Sequence, residues 1–129
     1  MTEFVRTSMP FAATLGIEAR EAGKDQVRLV MPWREDLCTS GGLLHGGALM
    51  TLADTAGALC AFLNLPTGAN TATTSSTTHF LRGARGGQVE ATARPVHVGR
   101  TVIVVETTLA DADARLVAKT TQAQAVLAG

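Results

Sequence analysis

Residues 39–60, TSGGLLHGGALMTLADTAGALC, decide how the rest of the chain is read. Two glycine pairs and His45 lead into an apolar run, and one carboxylate, Asp54, stands in its middle. Leu49, Leu52, Ala53, Ala56, Leu59, Cys60 and Leu63 recur at three- and four-residue spacing, which predicts a helix from Gly46 or Gly47 to about Leu65. Most of the opposite face is Ala, Gly or Thr, so the helix is apolar nearly all round and belongs in an interior. Pro66 and Gly68 stop it.

Asp54 lies about two turns inside that helix, too deep to be an N-cap. Burying a lone carboxylate costs several kcal/mol unless it is paired, hydrogen-bonded or protonated. Either it faces solvent or a neighbouring backbone group, or it is held there for chemistry. The residues before it favour chemistry. A helix start leaves free N–H groups and a partial positive charge, and glycine lets a ligand atom approach the backbone closely. A carbonyl oxygen gaining negative charge would be stabilised there. The plainer reading of Gly46 and Gly47 is a tight entry turn. A protonated His45 is disfavoured at the positive helix end, so its expected work is orientation or hydrogen bonding. Nine residues separate His45 from Asp54. That is about 900° of rotation and about 13 Å of rise, which puts them on opposite faces. If both serve one site, they come from two subunits.

Outward from the helix, the chain alternates strand-like runs with turns. A short helix is expected around Ser8 to Leu15, with Pro10 in its first turn. IEAREA and QVRLVMPW form a hairpin joined at Gly23-Lys24-Asp25, and REDLCTSGG is a loop or single helical turn. After the helix, NTATTSSTTHFL, QVEATARPVHV, TVIVVETTLA and RLVAKTTQAQAVL are Thr- and Val-rich runs, separated by the turn sequences RGARGG, GR and DADA. They read as four meandering strands. With the hairpin, about six strands surround one helix in a single α+β domain, residues 1–129. Such a sheet covers the helix on one side only, so a dimer is the simple way to close it.

The charges, 11 Lys and Arg against 11 Asp and Glu, give no overall pull toward nucleic acid or anionic membranes. The N-terminus lacks a signal-peptide pattern, and residues 48–65 fall short of a strongly apolar span, so a soluble, cytoplasmic protein is expected. Cys38 and Cys60 make neither a metal spacing nor a disulfide framework. Cys60 reads as a small core residue, and Cys38 as a remote candidate for a reactive thiol.

The stretch GGLLHGGALMTLADTAGALCAF resembles the core motif of hotdog-fold acyl-CoA thioesterases of the phenylacetic-acid-degradation type and their relatives. The likeness runs on through HFLRGARGGQVEATARPVHVGRTVIVVETTLADADARLVAKTT and covers almost the whole chain. It implies a long helix wrapped by an antiparallel sheet, dimerised and often a dimer of dimers, hence a homotetramer. It implies hydrolysis of an acyl-CoA thioester to a free acid and coenzyme A, with no cofactor and no metal. In such families the helix acid is base or nucleophile, a role that falls on Asp54. The backbone N–H after the motif histidine polarises the carbonyl, a role that falls on Gly46, with His45 and Gly47 beside it. A carboxylate in an apolar pocket has the raised proton affinity that suits a base.

The chain departs from its relatives in places. Thr39 stands where relatives often carry an amide. Ala58 stands one turn after the acid, where some carry a hydroxyl. Thr73, on the strand after the helix, matches a hydroxyl position of other relatives and is a candidate for placing water. Strand alternation puts it on one face with Ser75, Thr77 and His79. Gly83 stands where relatives often have proline. His97-Val98-Gly99-Arg100 resembles the turn that lines the nucleotide, so Arg82, His97, Gly99 and Arg100 are expected to bind coenzyme A, with arginine gripping phosphate through its planar fork. Two other functions share the fold: an enoyl-thioester hydratase or dehydratase, which the His-Gly-Gly sequence and nine-residue gap disfavour, and a non-catalytic acyl-CoA binding protein.

Overall fold

The computed structural model describes residues 1–128. Two short helices, α1 (Thr2–Ser8) and α2 (Pro10–Thr14), precede a hairpin of β1 (Glu18–Ala22) and β2 (Val27–Pro32). Two single 3-10 turns lead into α3 (Gly46–Leu63), and then come β3 (Asn70–Phe80), β4 (Gln88–Val98), β5 (Val102–Ala110) and β6 (Leu116–Leu127). The strands form one antiparallel sheet in the order β1-β2-β4-β5-β6-β3.

The sheet wraps α3. Leu52, Ala53, Ala56, Leu59 and Cys60 of the helix are buried against Leu29, Val89, Ala91, Ile103 and Val105 of the strands. Small helix residues let the sheet approach closely. Asn64 then caps the helix and ties it to the first hairpin, its amide donating to the carbonyls of Cys60 and Lys24, each at 2.9 Å. One stripe of the helix stays open. Met50, Asp54 and Phe62 sit at i, i+4 and i+12 and are all exposed. By length and mean hydropathy, 1.4 over 18 residues, α3 meets the bare criteria for a membrane span. Half of it, however, is buried within this fold, as befits a core helix.

Four features differ from the sequence reading. α1 was not anticipated because it buries a single residue, Val5, and so has almost no apolar period. Tertiary bonds hold it: Ala19 N–H donates to Thr2 Oγ1, and Arg6 Nε to the Ile17 carbonyl, both at 2.9 Å. The meander covers only β4, β5 and β6, because β3 pairs with β6 at the far edge of the sheet. The helix, about 27 Å long, carries the chain across the sheet before β3 begins. Third, the simple alternation along β3 is broken by a bulge, with Thr73 opposite Gln124 but Ser75 opposite Ala123. The extra residue, Thr74, switches the face. Thr73 therefore shares the inward face with Thr78 and Phe80, and not with Ser75, Thr77 and His79. Lastly, Asp54 is exposed in one chain rather than enclosed in an apolar pocket, because among the described residues its carboxylate is bonded only by Thr73 and Gln122.

Candidate active site at the start and middle of the long helix

The helix entry is built by hydrogen bonds to backbone. His45 N–H donates to the Leu37 carbonyl and Leu44 N–H to that of Ala84, which fixes the chain as it turns into α3. His45 is the N-cap, and its Nδ1 accepts the Gly47 N–H at 2.8 Å. A nitrogen that accepts needs its lone pair, so the ring proton belongs on Nε2. The orienting task expected of His45 thus takes a definite form: it uses up the N–H of Gly47. The N–H of Gly46 has no partner among the described residues. Gly46 also lies under the Phe80 ring, and a Cβ there would stand 3.3 Å from Cζ.

Gly46 opens on a cavity of about 360 Å³ lined also by Thr39, Leu49, Phe80, Arg82 and Gly83. Thr39 is exposed, and its hydroxyl makes no hydrogen bond among the described residues. His45 and Gly47 open instead on a neighbouring cavity of about 330 Å³, with Arg34, Cys38 and Thr51. Thr39, Gly46 and Arg82 are therefore brought together, while His45 and Gly47 face away. Burial and the nearby carboxylates of Glu35 and Asp36 push the Cys38 thiol above its usual range, so it is not an activated thiolate.

Asp54 forms a second centre about 12 Å along the helix from Gly46. Its Oδ1 accepts from Thr73 Oγ1 at 2.8 Å and from Gln122 Nε2 at 3.0 Å. Thr73 Oγ1 in turn accepts from Gln124 Nε2 at 2.8 Å. Oδ2 accepts nothing among the described residues. Thr73, a candidate for placing water, bonds the acid itself. Gln122 and Gln124 were missed. The available signal was two amides two residues apart, which strand alternation places on one face of β6.

The coenzyme A candidates divide. Arg82 lines a second, larger cavity of about 690 Å³ with Arg85, Gly86, Asp111, Asp113 and Arg115. Arg115 is tied to Asp111 and Asp113 at 3.0 and 3.4 Å, whereas the guanidinium of Arg82 has no partner among the described residues. His97, Gly99 and Arg100 lie at the opposite end of β4, whose 11 residues span about 33 Å. One chain does not cluster them with Arg82. Gly99 is needed at that turn, since a Cβ would fall 2.6 Å from His97 Nε2 and 2.8 Å from the Val102 carbonyl.

A half-wrapped helix, a six-stranded antiparallel sheet and an acid on the open helix face define a hotdog-fold protein. The thioesterase superfamily matches residues 41–118, and the chain belongs to it. It is 41% identical to a provisionally named esterase of Halobacterium salinarum over 71% of this chain and 64% of that protein. It is 35% identical to the proofreading thioesterase EntH of Cronobacter turicensis over 67% and 63% of the two chains. The match thus spans a little under two thirds of these relatives' length. The crystal structure of thioesterase HI1161 from Haemophilus influenzae superposes with a TM-score of 0.92 at 28% identity, covering 99% of this chain and 91% of that one.

Proposed function

We propose that this protein hydrolyses acyl-CoA thioesters at a site shared by two copies of the chain. The thioester carbonyl sits in the cavity at Gly46, with its oxygen on the Gly46 N–H and Thr39 beside it. Asp54 of the second copy takes a proton from water, whose oxygen attacks the carbonyl carbon. The oxyanion that forms is held by the Gly46 N–H and the helix start. On collapse the C–S bond breaks, and the thiolate of coenzyme A recovers the proton from Asp54. Direct attack by Asp54 through a mixed anhydride uses the same groups. Arg82 then meets the phosphates of coenzyme A.

The observation that carries this reading is the free Gly46 N–H, left over at the helix start and open to a cavity that also holds Thr39 and Arg82. The second copy is supported by the β3 edge. NTATTSSTTHF has eleven residues with no proline and no Asp, Glu, Lys or Arg, so nothing on it discourages pairing with another strand. Antiparallel pairing of β3 with its copy sets the Thr73 end of one against the Phe80 end of the other. Thr73 bonds Asp54 and Phe80 covers Gly46, so the same pairing brings Asp54 of one chain toward Gly46 of its partner and covers the Met50–Asp54–Phe62 stripe. It also puts the turn carrying His97, Gly99 and Arg100 at the end of the joined sheet where the other chain's Arg82 lies. Pairs of such dimers would give the tetramer.

The test is thiol release from a panel of short, medium, long-chain and aryl acyl-CoA substrates, with Asp54→Asn as control. Release that vanishes in Asp54→Asn is expected. No release from any substrate would overturn the hydrolase reading, and tight binding without turnover would replace it with an acyl-CoA binding protein.

A further inference from the structure

Two amides stand behind Asp54 in a place where amides are costly. Gln122 and Gln124 are 1% and 0% exposed, on the inward face of β6. A buried amide is destabilising unless its hydrogen bonds are made. Both side chains direct their donors at one point. Gln122 Nε2 donates directly to Asp54 Oδ1, and Gln124 Nε2 donates to Thr73 Oγ1, whose own O–H donates a hydrogen bond to the same oxygen. An ionised carboxylate only accepts, so the nitrogen of Gln122 has to face it. The remaining oxygen is then forced inward. Gln122 Oε1 is buried, has no hydrogen-bond partner among the described residues, and rests against Gly57, one of the few residues that leaves it room.

An arrangement that orphans a buried carbonyl oxygen is poor for stability. It is good for holding a carboxylate. Two donors fix Oδ1 and leave Oδ2 with no partner among the described residues. Neither amide is exposed, so neither can touch a substrate. We infer that Gln122, seconded by Gln124 through Thr73, is a positioning residue that locks the Asp54 carboxylate and reserves Oδ2 as the oxygen that meets the reacting water or carbonyl. The inference rests on Asp54 being the acid of the proposed hydrolysis.

The test is Gln122→Met, which keeps the length of the side chain and removes both the donor and the orphaned oxygen. A purely structural residue would lose stability and activity together. Here thermal stability should hold or rise, because the unsatisfied oxygen is gone. Meanwhile kcat for thiol release should fall about tenfold, the scale of one hydrogen bond to a charged group, with KM within about twofold. Thr73→Ser, which keeps the hydroxyl, should retain most of kcat, and Thr73→Val should lower kcat with KM little changed, as in Gln122→Met. That pair decides the matter if the Gln122 variant does not fold. A wild-type kcat in Gln122→Met, or losses of stability and rate that run together, overturns the positioning role. If Asp54→Asn keeps full activity, the base reading fails and this one with it. If Asp54→Asn is dead while Gln122→Met behaves as wild type, only the positioning role fails.

Discussion

Gly57→Ala tests how tightly Gln122 is held. An added Cβ would stand 2.9 Å from Gln122 Nε2 and nearer still to its Oε1 and Cδ. Gln122 is fully buried and cannot swing into water, so it must leave Asp54 or push β6 outward. Overpacking costs about 1–3 kcal/mol. If Gln122 leaves Asp54 instead, its buried amide donor is stranded, which also costs about 1–3 kcal/mol. Against this, alanine is the better helix former by about 1 kcal/mol. By either route the net is a loss of about 1–2 kcal/mol, a fall in Tm of roughly 5 °C for a chain of this size. Thermal unfolding measures it directly, with thiol release measured in parallel. The double variant Gly57→Ala/Gln122→Ala makes room for the new methyl group, so it should recover much of the Tm but not the rate. A Tm for Gly57→Ala at or above wild type would mean that helix propensity wins and that Gln122 is not wedged between Gly57 and Asp54.

Other outcomes follow from the same contacts. Thr73→Val strands the buried Gln124 Nε2 and should cost about 1–3 kcal/mol in denaturant unfolding, with Thr73→Ser close to wild type. Arg82→Ala should raise KM for acyl-CoA about three- to tenfold but leave KM for a thioester lacking the nucleotide unchanged, since only the phosphates would engage a charged fork; equal effects on both substrates would remove Arg82 from the nucleotide site. Burial pushes the Cys60 thiol up to about 11, from an ordinary value of 9.0. A raised folded value means that this contribution is complete below pH 9 and is lost as pH climbs from 9 through 11. Stability should therefore fall over that window, free of any tyrosine titration because the chain has none, and Cys60→Ala should flatten that part of the curve.

The fold was legible because its signals are local and strong. The apolar period of α3, the Pro66 and Gly68 stop, and the Val- and Thr-rich runs split by glycine turns gave the helix and all six strands. What stayed hidden depends on long-range pairing. That β3 lies beside β6 rather than β4 is a choice among strands of similar composition, and no single turn encodes it. The bulge at Thr74 is likewise a property of the pair of strands, and it reversed the face assigned to Thr77 and His79. At the candidate site, Asp54 and Gly46 stood out because a carboxylate in an apolar helix and a glycine at a helix start are each visible in one segment, and Thr73 because it matches a hydroxyl position of the family. Gln122 lies 68 residues from Asp54, and its meaning appears only when β6 is laid against α3. His97, Gly99 and Arg100 were grouped with Arg82 as coenzyme A residues through the family resemblance. The length of β4 separates them within one chain.

The central claim is that each active site takes Gly46 from one chain and Asp54 from another. Subunit mixing measures it. Asp54→Asn disables one half of a site, and Gly46→Val, which crowds the Phe80 ring, disables the other. Each homogeneous variant should release almost no thiol. Unfolded together in equal amounts and refolded, half of the dimers are mixed, and each of these carries one intact site of two, so about a quarter of wild-type activity should return. Activity that stays at the level of the separate variants would show that Gly46 and Asp54 serve the same chain's site, and would contradict the shared-site account.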